Sequence, residues 1–175
     1  MRLYFRLLIL LFFALLRKRD LTGNPESKLR FMVLPSDCVV KLMSNERYLG
    51  FLDLGRIDLL IRFDLFKTVI KRNWQPHVIS VHIRYMYSLQ IFSLFVLQTR
   101  LIRKDRSFFW IEQRFEQKGR TVATSISKCL FISKGKIIPT DMIFRAMQED
   151  NISPALSEKY KIVNEVDNLL RNITT

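Results

Sequence analysis

Few side chains in this sequence carry chemistry on their own. His77 and His82 are the only two histidines, and both fall on or beside a strand-like stretch. Two imidazoles with no Cys or acid at ligand spacing do not make a zinc site, so no metal is expected. Cys38 and Cys129 are the only two cysteines. Neither belongs to a C-x-x-C pair, so free thiols are expected, and a disulfide would need an oxidising lumen. No G-x-S-x-G surrounds a serine and no histidine stands near Ser44, which removes serine-hydrolase logic. What remains is a polar group around one helix start. Asp37 suits a turn cap. Ser44 or Asn45 suits a helix N-cap. Glu46 falls in the first helical turn, where the macrodipole favours an acid whatever its role. Asp53 and Asp58 lie inside the same helix, with Arg56 or Arg62 as partners.

The elements that must position these residues are legible from periodicity. Lys28 to Leu34 reads as a short strand and Pro35-Ser36-Asp37 opens a loop. Asn45 to Phe63 is a long helix, apolar on most sides, so other structure should wrap it. Four strand-like segments follow, at His77–Leu89, Leu94–Arg103, Ser107–Gln117 and Arg120–Ser133. In the third, Phe109, Ile111, Gln113 and Phe115 share one face. Lys118-Gly119 is a hairpin turn, and Lys134-Gly135-Lys136 turns again before Ile137-Ile138. A helix follows from about Asp141 to Glu149, with Thr140 as its cap. The polar tail from Asn151 to Thr175 has a helical stretch from Ala155 to Leu170. One long apolar helix followed by an antiparallel meander predicts an α+β domain whose sheet curls round the helix.

With 175 residues, the chain suits one domain plus an anchor. Its net charge of +13 invites nucleic acid, an anionic membrane or a polyphosphate ligand. The basic residues are spread over the whole chain, with no zinc-finger spacing and no RNP1-type motif, so no nucleic acid partner is expected. Leu3 to Leu16 is an apolar run broken only by Arg6 and followed by Arg17, Lys18 and Arg19. No small-residue cleavage site follows it, so a signal-anchor is expected rather than a cleaved signal peptide. An in-plane amphipathic anchor is the other reading. The heavier positive charge after the run favours a cytosolic main domain. The organisation expected is anchor 1–19, linker 20–27, main domain 28–150 and tail 151–175.

Three segments then carry a resemblance. They are Leu34-Pro35-Ser36-Asp37, Met43-Ser44-Asn45-Glu46-Arg47-Tyr48-Leu49 and Asp53-Leu54-Gly55-Arg56. Together they resemble thioesterase-like hot-dog proteins, in particular the membrane-anchored branch called thioesterase superfamily member six. That branch shows a D-x-D loop, then H-M-N-N-x-R-Y-L entering the central helix, then a D-x-G-R stretch. Thr99 to Leu101, Phe109 to Glu112 and Phe115 to Gly119 also resemble it. The likeness covers about Phe31 to Ile138 and extends to the N-terminal run. Val39 stands where the second loop acid would be. The loop is one residue shorter, Leu42 or Met43 falls at the motif His, and Ser44 replaces the first Asn.

The resemblance implies a hot-dog fold, action on or binding of acyl-CoA or a related acyl thioester, a homodimer, and the endoplasmic reticulum membrane. No cofactor is implied. Hydrolysis needs a carboxylate to activate water or attack the carbonyl, and donors for the oxyanion, which a helix N-terminus supplies. Asp37, Asn45 and Glu46 are then the candidate catalytic residues, and Ser44 and Tyr48 the candidate substrate-binding ones. Arg100, Arg103, Lys104 and Lys118 are offered to the CoA phosphates, with a solvated basic face as the alternative. Because Val39 cannot transfer a proton, two functions compete. One is a thioesterase with a rearranged site. The other is a non-catalytic lipid-binding or scaffold protein of the same fold.

Overall fold

Alternation with a period of two becomes one antiparallel sheet, and the long apolar helix becomes the rod it curls round. The computed structural model describes residues 26–146, 161 and 164–168. Strand β1 (Ser27–Met32) leads through a 3₁₀ turn at Pro35–Asp37 to a small hairpin of β2 (Cys38–Val39) and β3 (Leu42–Met43). Helix α1 (Asn45–Arg62) and a short α2 (Leu65–Lys71) follow. Then come β4 (Gln75–Tyr85), β5 (Leu94–Lys104), β6 (Phe109–Gln117), β7 (Arg120–Ser133), β8 (Lys136–Ile137) and α3 (Thr140–Ala146). The sheet order is β1-β5-β6-β7-β4, with β8 beside β7. This is the expected α+β arrangement.

Three register shifts bend the sheet, between Val78 and Ser80, between Leu101 and Arg103, and between Phe115 and Glu116. Bulges of this kind raise local twist and curl a strand. Lys118-Gly119 and Lys134-Gly135 both take positive φ, as two-residue hairpin turns require. β1 and β4 are the sheet edges. Pro76 near the start of β4 fits an edge, where a missing N–H costs no ladder bond.

Several elements differ from expectation for local reasons. β1 begins at Ser27, whose Oγ donates to Asp58 Oδ2 on α1 at 2.6 Å. α1 ends at Arg62 because Asp64 turns left-handed (φ 53°), and a separate helix, α2, then starts. β4 ends at Tyr85, where the Met86 and Tyr87 N–H groups both donate to Val122 O. Leu89 leaves the strand to cover α1 and is fully buried. Thr140 is the first residue of α3, and its Oγ1 donates to Asp105 O at 2.5 Å. The expected end of α3 at Glu149, the anchor at 1–19 and nearly all of the linker lie outside the described residues. Among the described residues no helix is long and apolar enough to cross a membrane.

The core is in two parts. Tyr48, Phe51, Leu52, Phe95, Leu97 and Phe115 gather under the first half of α1. Leu59, Phe63, Phe109, Phe131, Ile143 and Phe144 gather under its second half. Between them runs a buried polar row, Ser27, Thr99, Gln113 and Ser125, in register across β1, β5, β6 and β7. The tail reaches the other face of the sheet. Residues 164–168 are helical. There Asp167 accepts from Ser80 Oγ at 3.0 Å and pairs with buried Lys128 at 3.2 Å.

Candidate functional site

The polar residues at the start of α1 are held mainly by structure. Asp37 is buried; its Oδ2 accepts from Leu34 N at 2.9 Å and its carbonyl accepts from Ser44 N at 2.9 Å. Ser44 is the N-cap residue of α1 and its side chain makes no capping bond. Asn45 and Glu46 are exposed in the first turn, and Asn45 O receives a long 3.5 Å bond from Tyr85 Oη. Tyr48 is buried against Tyr85 and Phe115, and its hydroxyl accepts from Leu89 N at 3.3 Å. Burial raises the Tyr48 phenol pKa; the Leu89 N–H acts in the opposite direction and Tyr85 adds to the rise. Burial, then the Asp37 charge, also raises the Cys38 thiol. Val39 points outward on the hairpin and is exposed. The structure therefore brings Asp37 and Ser44 together, and sets Tyr48 into the core.

A second polar group lies eight residues on, roughly 12 Å along the helix at 1.5 Å per residue. Arg56 is mostly buried and held by neighbours on both branches. Nη1 donates to Gln113 Oε1 and to Ser127 Oγ, both at 3.1 Å, and Nη2 to Asp53 Oδ1 at 2.5 Å. Gln113 is fully buried, and its Nε2 donates to Leu52 O at 2.9 Å and Thr99 Oγ1 at 3.1 Å. Ser125 Oγ, buried beside Gln113, has no hydrogen-bond partner among the described residues. A guanidinium carries five N–H donors, so the three bonds leave two for another acceptor.

This group stands at one corner of a cavity of about 240 Å³ between α1 and the sheet. Leu60, Phe63, Leu101, Phe109, Phe131 and Phe144 are among its apolar walls, while Asp53, Arg56 and His77 bring polar atoms. Asp53 is the only carboxylate among the lining residues. The exposed β4 residues Pro76, His77 and Val78 form the rim. Cys129 also lines the cavity, and burial pushes its thiol up to about 11, with Arg56 pulling it down and Asp53 pushing it up. Lys104 Nζ lies 3.9 Å from the ring centre of Phe144 at the far wall. Arg100 is engaged by buried Glu112 on the opposite face of the sheet. Among the described residues no His, Cys, Asp and Glu cluster fits a metal.

The sequence pairs Asp53 with Arg56 but assigns the pair no site. The readable signal is Gln113, an amide on an otherwise apolar strand face opposite a D-x-G-R stretch.

Protein THEM6 of Xenopus laevis is 34% identical over 85 residues, which is 48% of this chain and 41% of that protein. The chain thus matches less than half the length of that relative. Among solved structures, SAV2348 of Staphylococcus aureus, determined in complex with CoA, superposes with a TM-score of 0.65 at 11% identity. The alignment covers 79% of this chain and 92% of SAV2348. Slr0204 of Synechocystis, a 1,4-dihydroxy-2-naphthoyl-CoA thioesterase, gives 0.61 at 11% identity, covering 74% of this chain and 100% of Slr0204. At such identities the likeness establishes the hot-dog fold alone. The family model for the thioesterase-like superfamily matches residues 33–159. A sheet curled round one central helix, together with that match, means that this chain belongs to the thioesterase-like superfamily.

Proposed function

We propose that the protein binds the acyl group of an acyl-CoA, or of a related acyl thioester, in the cavity beneath the second half of α1. The thioester end lies at Arg56 and Asp53. One observation carries this reading: an apolar cavity with its buried guanidinium at a single corner. At roughly 30 Å³ per water-sized group, its 240 Å³ takes about eight methylenes. Burying that chain contributes about 6 kcal/mol before ordering costs. That falls short of micromolar affinity, which needs about 8 kcal/mol, so polar contacts to the head of the ligand must supply the rest.

Hydrolysis at this place would use Asp53, the cavity's carboxylate. It would take a proton from water, the resulting hydroxide would attack the thioester carbonyl, and Arg56 would offset the charge on the oxygen. Collapse would expel the thiolate, which takes back the proton. Asp37, Asn45 and Glu46 are the rival positions. The site residues support binding more directly than turnover, since Asp53 is already paired. Action at the endoplasmic reticulum membrane, through Leu3 to Leu16, and pairing of two copies along the open β4 edge complete the proposal. The exposed Val78 and Ile79 support the pairing, because a free apolar edge invites a partner strand.

The test is calorimetry and thiol release with acyl-CoAs of graded length, on the natural chain and on Leu60→Trp, which fills the cavity. Affinity rising with chain length and lost in Leu60→Trp is the expected result. Equal binding of CoA alone and acyl-CoA by both proteins would sink the reading.

A further inference from the structure

One end of the domain carries apolar side chains that neither core takes. The two-residue turn of the β2–β3 hairpin places Val40 at φ 61°, 89% exposed, next to exposed Val39. Ile91 N donates to Lys41 O at 2.9 Å, which seats this hairpin against the loop between β4 and β5. In that loop Phe92 also has φ 61° and is 62% exposed. Leu94, the first residue of β5, is 70% exposed. Val39, Val40, Phe92 and Leu94 therefore share one tip, at the β1–β5 side of the sheet and away from the β4 edge.

Val40 breaks two local rules at once. A β-branched residue is a genuine outlier at positive φ, where a two-residue hairpin prefers Asn or Gly. It also leaves its side chain in water. Strain combined with apolar exposure points to a contact made outside the chain. Residues around the tip say what kind. Exposed Lys41 is in the turn itself. Exposed Arg30 and Lys118 line a shallow cleft with Phe92 and Leu94. Glu116 also lines that cleft and accepts from Gln98 Nε2 at 2.8 Å. A basic rim round an apolar tip, on a chain of net charge +13, complements an anionic and partly apolar surface.

We propose that this tip docks on an anionic lipid bilayer. Val39, Val40, Phe92 and Leu94 enter the headgroup region, and Lys41, Arg30 and Lys118 meet the phosphates. The argument rests on the folded domain and is separate from the acyl cavity, whose rim lies on β4. It is also compatible with an anchored N-terminus. Residues 20–26 reach up to roughly 25 Å when extended, more than the about 20 Å length of β1 that separates Ser27 from the tip.

The experiment uses the full chain carrying Phe92→Trp, reconstituted in phosphatidylcholine–phosphatidylserine vesicles with brominated acyl chains. The natural tryptophans, Trp74 and Trp110, are buried and set the baseline. Emission from the introduced indole should be quenched at least about twofold beyond that baseline, as an interfacial side chain would be. The increment should vanish when Val40→Asp and Leu94→Asp are added, with circular dichroism unchanged, and in vesicles lacking phosphatidylserine. Quenching of the introduced indole by aqueous acrylamide, with no increment from brominated lipid, overturns the proposal. So does shielding from both quenchers, which would mean that a second copy covers the tip.

Discussion

A methyl group added at Gly55 would lie 2.7 Å from Nε2 of Gln113. The same methyl would overlap Thr99 Oγ1, so α1 meets the sheet backbone-first at this point. The contact places Leu52 O within reach of the Gln113 amide and sets Arg56, the next residue, over Gln113 and Ser127. Close approach of helix to sheet and placement of the guanidinium are one feature.

Gly55→Ala therefore sets two effects against each other. Alanine gains about 1 kcal/mol of helix propensity over glycine. Overpacking against a fixed strand costs about 1–3 kcal/mol. Because Gln113 and Thr99 belong to the buried row and cannot yield without losing hydrogen bonds, the clash should win. Urea unfolding should give a lower midpoint. An unchanged or raised midpoint would show that α1 can lift away freely.

Much of this arrangement is readable from the sequence. The Asn45 start of α1, the span of β7 and the Lys118-Gly119 turn follow from apolar spacing and turn chemistry, which are local. The break at Asp64, the short α2 and the β2–β3 hairpin are not readable in that way. Two-residue strands carry no periodicity, and a left-handed Asp inside an apolar run looks like any other helical residue. The site is legible only in part. The Asp53–Arg56 pair is readable as an i,i+3 pair, but Asp37 and Tyr48, which stand out by motif, do not line the cavity, and the cavity itself depends on Phe109, Phe131 and Phe144 meeting from three elements. No spacing rule reports such a meeting.

Replacing the acid in the turn before α1 and the acid in the middle of α1 separates their roles. Asp37→Ala removes the acceptor for Leu34 N, and a lost bond of this sort costs about 1–2 kcal/mol. Its acyl-CoA affinity should stay near that of the natural chain. Asp53→Asn should keep the fold, since Asp53 is itself exposed, an asparagine oxygen can still accept from Arg56, and Gln113 and Ser127 hold the guanidinium as well. Any thiol release should fall with Asp53→Asn. Arg56→Leu should weaken acyl-CoA binding about tenfold, the effect of losing one charged hydrogen bond. If Asp37→Ala abolishes turnover while Asp53→Asn preserves it, the reaction belongs to the loop and the cavity reading of hydrolysis is wrong.

Cys129 reports on the cavity without a substitution. With its thiol near 11, only about one molecule in a thousand carries the thiolate at pH 8, a few hundredfold fewer than for an ordinary cysteine. Iodoacetamide at pH 8 should modify half-buried Cys38 first and Cys129 only after unfolding in urea. A bound medium-chain acyl-CoA should slow Cys129 further and leave Cys38 unchanged. Equal rates in the native protein would mean that bulk water enters the cavity.

The contact between the tail and the sheet should depend on acid. Burial works to raise the Asp167 carboxyl. Hydrogen bonds from Ser80 and Lys128, the Lys128 charge and His82 outweigh it, leaving the group below its ordinary value. A carboxyl with a depressed folded pKa binds fewer protons folded than unfolded. Its contribution is complete above the unfolded value, about 3.9 for Asp, and is lost as pH falls through the lower folded one. Amide protection of residues 164–168 should hold from pH 7 to 5 and fail only below about pH 4. Asp167→Ala should cost about 3 kcal/mol at neutral pH, because Lys128 stays buried beside Phe108 and Trp110 without its carboxylate. Adding Lys128→Met should recover most of that loss, since an apolar side chain needs no counter-charge there. If Asp167→Ala instead changes the urea midpoint no more than an exposed substitution does, the ion pair does not hold the tail against the sheet.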